Sequence, residues 1–159
     1  VIFLPYLNGE RTPHNDPYAR GVFFGLGSDT SRETMVQSVL EGVGFALLDG
    51  QSRLHAAGTH CELPGVIGGG ARSRYWIQLI SDIMGCPLAR YEGAAKGPAF
   101  GAARLGRLAL DHETVEDVCQ KPVIQEVIEP DMRKHADYQP RFAKFRRIYA
   151  ALRDEFQPV

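Results

Sequence analysis

The stretch 66–76, VIGGGARSRYW, sets three consecutive glycines between a short apolar run and a segment with helical periodicity. Glycine weakens the interior of a strand or helix, so a triplet belongs where the backbone takes a positive φ or another group comes close to the main chain. Residues 63–67 read as a strand. Trp76, Ile77, Ile80 and Met84 share one face of a helix over 73–84, which Gly85 ends. A chain with this junction passes from strand to helix through bare backbone, and that points to an α/β fold.

The rest of the chain repeats the alternation. Residues 1–4 form a strand, 8–17 a polar loop, and 21–26 a second strand closed by Gly27-Ser28-Asp29. Thr30 and Glu33 match a capping box, which predicts a long helix to Gly58 with Val36, Val39, Leu40, Val43, Leu47 and Leu54 on its apolar face. Gly42 and Gly44 within it predict a close neighbour. A strand over 87–91, a small-residue helix from Gly97-Pro98 to about 110, a short helix capped by Thr114, a strand over 123–128 and a helix over 141–156 follow, with Pro140 starting or kinking the last. The expectation is one α/β domain over 1–159 with a mixed, mostly parallel sheet flanked by helices.

Eighteen Lys and Arg against 19 Asp and Glu leave a net charge of −1, so no global field attracts nucleic acid or an anionic membrane. Neutral or Mg-bound small molecules remain open as partners. Cys61, Cys86 and Cys119 form no CxxC pair and read as buried or incidental thiols of a reducing compartment. No run approaches the ~20 apolar residues that span a bilayer. The chain opens on Val1-Ile2-Phe3-Leu4 without Met, which reads as a piece of something longer.

A glycine turn ahead of a helix offers amides and a favourable dipole to an anion, while the bland alternative is a tight turn with no ligand. No Gly-Lys-Ser/Thr follows, so it is not a phosphate-binding P-loop. As a dinucleotide fingerprint it is weak, since Ser73 occupies the last small position, although Tyr91-Glu92 lies near the spacing expected of an acidic partner. Three glycines would also let a flat ring such as a purine lie on the main chain.

Four segments, LPYLNGERTPHNDPYARGVFFGL (4–26), VLEGVGFALLD (39–49), IGGGARSRYWIQLISDIMGCPL (67–88) and GPAFGAARLGRLA (97–109), together resemble the C-terminal domain of FGGY-family carbohydrate kinases, with xylulose kinases carrying the strongest likeness. The likeness runs from residue 1 to about 156; Thr34 departs from the family's usual His, acid or amide. The resemblance implies a partial actin-like ATPase, ribonuclease H-like domain of a cytoplasmic two-domain kinase. It implies ATP with Mg²⁺ and release of ADP, with the sugar held mainly by an N-terminal domain, and it leaves a homodimer open. D-xylulose is the acceptor it favours; glycerol, gluconate or ribulose, or a non-catalytic nucleotide-binding module, are the alternatives. By the same resemblance Gly68, Gly69, Gly70 and Ala71 lie beside the nucleotide, and Ser73 stands where relatives carry a nucleotide-contacting Asn. The family's catalytic Asp sits in a segment this chain lacks, so no catalytic residue is assigned and the isolated chain is expected to be inactive.

Other features receive plainer readings. Glu10 to Asp16 combine a base, an acid and a cation, yet read as a structural or cleft-edge loop in which Asp16 caps the turn before Pro17 and Arg11 pairs with Glu10 or a neighbouring element. His55 and His60-Cys61 lack further ligands for a metal. The resemblance implies that Arg72 and Arg74 stand near a phosphate or at a cleft rim, against the commoner reading of solvated surface arginines; Asp82 reads as a solvent-facing acid, and Glu41 as lying on or near a packed face within reach of a loop amide. The basic terminal helix carries a stripe of Phe142, Phe145, Tyr149, Leu152 and Phe156, better suited to docking on the domain than to a membrane surface.

Overall fold

The structure, a computed structural model, describes residues 1–93, 97–110, 113–120 and 122–158. Strand β1 (Ile2–Leu4) pairs antiparallel with β2 (Val22–Phe24), Phe3 facing Phe23. Helix α1 (Arg32–Ala56) follows. Its N-cap is Ser31, whose hydroxyl accepts the Thr34 amide at 3.2 Å. The expected cap at Thr30 is displaced by one residue, because the Thr30 hydroxyl accepts the Gly27 amide at 2.8 Å and closes the preceding turn.

Strand β3 (Gly65–Val66) leads through the glycine turn to α2 (Arg74–Met84), then β4 (Leu88–Tyr91), α3 (Pro98–Leu110), α4 (Val115–Val118), β5 (Ile124–Ile128) and α5 (Met132–Leu152), which tightens into a 3-10 turn over Arg153–Phe156. Thr114 caps α4 with a full capping box to Asp117. β4 is the middle of a mixed sheet, parallel to β3 and antiparallel to β5. The parallel share is thus smaller than expected, since the two helices between β4 and β5 let the chain return in either direction. α5 begins well before 141. Asp131 caps it by accepting the Arg133 amide at 2.9 Å, and Pro140 lies inside the helix instead of opening it.

Helix α2 holds the core together from both flanks. Leu79 and Ile83 join Leu4, Tyr6, Phe45, Leu48, Phe145 and Tyr149 in one cluster, while Ile77 and Ile80 pack with Leu88 and Ile128 in a second. The aromatic stripe of α5 is buried there as expected, with Phe145 wholly enclosed. α1 is turned by half a revolution from its expected orientation: Ser38, Glu41, Phe45, Leu48 and Asp49 face inward, whereas Val36, Leu47 and Leu54 are exposed. The glycines explain this, because a Cβ at Gly42 would stand 2.4 Å from the Phe3 carbonyl oxygen and one at Gly44 would stand 2.6 Å from Ile83 Cδ1. Only bare backbone brings α1 that close to β1 and α2.

Asp82 is buried, not solvated. Its Oδ1 accepts the Asp131 amide at 2.9 Å and Gln78 Nε2 at 2.8 Å, with Lys134 Nζ 3.5 Å from Oδ2, because the start of α5 docks over this face of α2. α5 also caps the end of α2, where His135 Nδ1 donates to the carbonyls of Asp82 and Ile83 at 3.2 and 3.1 Å. Glu41 pairs with Arg141 and accepts Gln37 Nε2 at 3.0 Å, placing it on a packed face as the sequence suggested. Among the described residues no helix is long and apolar enough to cross a membrane.

Candidate functional site

The fold requires two of the three glycines, each for a different reason. Gly68 has φ of 92°, a left-handed conformation that a side chain would strain. Gly70 lies under the Trp76 ring, where a Cβ would come within 2.8 Å of Cζ3. A Cβ on Gly69 would meet nothing within 4 Å, and its φ is ordinary. Packing and backbone strain account for Gly68 and Gly70 but leave Gly69 open to the outside.

The turn is held rigid from within. Residues Gly69–Arg72 form one 3-10 turn, the Ala71 amide donates to the Gly68 carbonyl at 3.1 Å, and the Ser73 amide donates to that of Gly70 at 3.1 Å. Ala71 points inward and is buried. Ser73 caps α2, its hydroxyl oxygen accepting the Trp76 amide at 3.3 Å. Trp76 Nε1 in turn donates to the Leu40 carbonyl of α1 at 3.2 Å, so the turn is fastened to the longest helix.

The start of α3 meets this turn from the other side. A Cβ on Gly97 would lie 3.7 Å from Gly68 Cα, so two glycine-bearing turns face each other with almost no side chain between them. Gly68, Gly69, Gly70, Ala71 and Ser73 are therefore brought together, and Gly97 and α3 join them, a pairing visible in sequence only as a second Gly at a helix start. Arg74 is committed elsewhere, with its Nε 2.8 Å from Glu126 of β5, and Arg72 is exposed. Gly68 to Ala71 carry no titratable side chain, so what this part of the turn presents is main chain.

Tyr6, His14 and Asp16, three groups with displaced proton affinity, lie in the loop over 5–20. Tyr6 hydroxyl and His14 Nε2 are 3.0 Å apart, and the His14 ring stacks on Tyr149 at 3.6 Å. Asp16 Oδ1 accepts the amides of Tyr18 and Ala19 at 3.0 and 3.1 Å. Asp49 of α1 lies 3.7 Å from His14 and 3.5 Å from Arg146 Nε. Burial, reinforced by Asp49 and Glu10, pushes the Tyr6 phenol well above its usual range; burial lowers His14 despite the same two carboxylates. Burial of Tyr149 beside Asp16 raises it to about 12. This is a clasp between a loop and two helices, in which Asp16 caps the turn as expected. No local signal marks Asp49 or Tyr149 as part of it, because both reach the loop through tertiary packing. His55 and His60 do approach, with rings 4.8 Å apart, but among the described residues no group of three or more His, Cys, Asp or Glu could hold a metal. Cys61 and Cys119 are exposed and Cys86 is half-buried, so the thiols are incidental more than buried.

Comparison with known proteins converges on one relationship. The xylulose kinase of Escherichia coli K12 is 49% identical over 154 residues, which is 96% of this chain and 32% of that protein. The crystal structure of a xyloylose kinase from Brucella ovis superposes with a TM-score of 0.81 at 40% identity, covering 97% of this chain and 32% of the other. That of a ligand-bound xylulose kinase from Lactobacillus acidophilus gives 0.78 at 31% identity, covering 98% and 32%. The chain thus spans about a third of the relatives it matches, and its fold is the actin-like ATPase fold in part. A sequence model of the C-terminal domain of the FGGY family of carbohydrate kinases matches residues 1–110, across both glycine turns, the clasp loop and the helix that fastens them, and it is to this family that the chain belongs.

Proposed function

We propose that this chain is the nucleotide-binding part of a longer, cytoplasmic two-domain sugar kinase, and that the complete protein transfers the γ-phosphoryl group of ATP to D-xylulose, yielding D-xylulose 5-phosphate and ADP. The observation that carries the reading is Gly69, a bare, exposed position that no contact within the chain requires, next to Gly68, which Gly97 at the start of α3 approaches. Such a surface suits the flat face of a nucleotide, with Gly68, Gly69, Gly70 and Ala71 beneath it and the Ser73 hydroxyl hydrogen still available to donate. The xylulose kinases among the similar proteins support the acceptor.

Mg²⁺ would arrive with the nucleotide's phosphates, as it does where one or two carboxylates and substrate oxygens share the ion. The open cradle at Gly69 fits the nucleotide; the described residues offer no carboxylate cluster for the ion itself. Phosphoryl transfer requires the phosphate, the ion and the acceptor hydroxyl to be positioned together, so the 159 residues alone should not turn over. The test is ADP release by the complete native product with D-xylulose, glycerol, gluconate and ribulose in parallel. Turnover with D-xylulose supports the proposal, turnover with another acceptor alone reassigns the substrate, and none with any of them contradicts it. Purified 159-residue chain that phosphorylates sugar would contradict the claim that this part is incomplete.

A further inference from the structure

We propose that Trp76 is a positioning residue of the nucleotide site, its indole N–H holding the glycine turn in place against α1, an inference that rests on the proposed reading of that turn. The indole reaches both at once. Its six-membered ring underlies Gly70, where a Cβ would meet Cζ3 at 2.8 Å and Cε3 at 3.1 Å, while Nε1 on the other edge donates to the Leu40 carbonyl at 3.2 Å. A single flat, rigid side chain therefore spans from the turn to α1. Trp76 also packs on both apolar clusters, the one that holds Leu79 and Ile83 and the one that holds Ile77 and Ile80, so the plane of its ring is set from each flank.

The helix does not need that bond. Leu40 lies in the interior of α1, where a carbonyl already has its partner within the helix, so the donor relieves no orphaned acceptor there. A phenyl ring would also cover Gly70; what the indole adds is one directed hydrogen bond between two elements. The preceding residue makes a parallel tie, the Tyr75 hydroxyl donating to Gln37 Oε1 at 2.7 Å about one turn of α1 before Leu40. The start of α2 is thus fastened to α1 at both residues, and Trp76 carries that fastening on to the turn.

The main chain of Trp76 acts on the same surface. Its amide occupies the Ser73 hydroxyl oxygen at 3.3 Å, which leaves that hydroxyl its hydrogen to offer outward. A flat ligand on the glycine main chain gains its attraction from atoms at contact distance, and a gap of about 0.5–1 Å forfeits roughly a quarter to a half of each contact. Loosening the indole from Leu40 frees the turn to shift by that much, so the bond acts on ATP through Gly70 without touching it.

The experiment uses the complete protein and replaces Trp76 by benzothienylalanine, which keeps the shape of the indole and carries sulfur where the N–H stood, alongside Trp76→Phe. Ile80→Val, a buried position of α2 that packs with Leu88 and Ile128, is the stability control, and Gly69→Val is the control for the nucleotide site. Each is measured for ATP affinity by calorimetry, for KM toward ATP and toward the sugar acceptor, and for melting temperature. Loss of the N–H should raise the dissociation constant and KM for ATP by about fivefold or more and move the sugar KM by less than about twofold. Ile80→Val should lower the melting temperature and leave ATP binding as it was. Wild-type ATP affinity in the benzothienylalanine protein, with Gly69→Val impaired, overturns the inference alone. Wild-type affinity in Gly69→Val as well removes the nucleotide reading of the turn and the inference with it. An equal rise in the sugar KM, or an equal loss of ATP affinity in Ile80→Val, would trace the effect to general loosening of the fold and overturn the positioning role.

Discussion

The Tyr149 hydroxyl donates a 2.8 Å hydrogen bond to Asp16 Oδ2, tying α5 to a loop 133 residues earlier. The other carboxylate oxygen holds the amides of Tyr18 and Ala19, so a single buried side chain fixes both the course of the loop and its attachment. Asp16→Ala would strand a hydroxyl and two amides and should destabilise the protein by about 2–3 kcal/mol, with Tyr149→Phe costing about 1 kcal/mol. Urea unfolding of the two variants checks this; equal and negligible losses would mean the clasp does not hold the loop.

The same clasp makes stability depend on pH. Burial lowers His14 from its ordinary 6.5, so the unfolded chain takes up a proton that the folded one resists, and stability falls as pH drops below about 6.5. Burial alone would raise Asp16, but the bonds from Tyr149, Tyr18 and Ala19 outweigh it and hold the carboxyl below 3.8. Its contribution is intact above that value and is lost as pH falls through the folded-state value. Melting temperatures should therefore be level at about pH 7–8, fall in two steps toward acid, and fall again above about pH 9, where the unfolded chain gives up protons that the buried Tyr6, Tyr149 and Cys86 keep; His14→Gln should remove the upper acid step. A wild-type curve unchanged between pH 7 and 5 would contradict the assignment.

Gly42 and Gly44 separate two kinds of close approach. An added methyl at Gly42 meets the Phe3 carbonyl, which is backbone and cannot swing aside, whereas at Gly44 it meets the movable tip of Ile83. Gly42→Ala should cost about 2–3 kcal/mol and Gly44→Ala nearer 1 kcal/mol, each offset slightly by alanine's better helix propensity. Chemical denaturation gives the order directly, and the reverse order would place α1 differently against β1.

Much of the architecture was legible because it is written in local signals. The glycine turn, Gly85, the Thr114 cap and the aromatic stripe of α5 all sit where turn chemistry and periodicity put them. The failures share a different cause. Leu47 and Leu54 looked like the core face of α1, and Asp82 like a surface acid, because burial there is decided by Gly42 against β1 and by α5 against α2, contacts between segments distant in sequence. Pro140 looked like a helix start because the docking that sustains α5 on both sides of it is tertiary. At the candidate site the cluster of glycines was visible, but which glycine is packed, which is strained and which is open required the position of Trp76.

That distinction yields a stability prediction. Gly70→Ala would press against the Trp76 ring, which is itself anchored to Leu40, and should cost about 1–3 kcal/mol. Gly69→Ala should change stability by less than about 0.5 kcal/mol. Paired thermal melts measure both, and a large loss at Gly69 would show that its bareness serves the fold.

The most direct test of the proposed nucleotide site at the glycine turn is the affinity of the complete protein for ATP, measured by calorimetry for wild type and for Gly69→Val. The valine side chain enters space that the fold leaves empty, so the variant should keep its melting temperature while its dissociation constant rises by about tenfold or more, roughly 1.4 kcal/mol. Unchanged ATP affinity in a folded Gly69→Val protein would contradict the account, since the glycine of the triplet that the fold does not need would then not be needed for the nucleotide either.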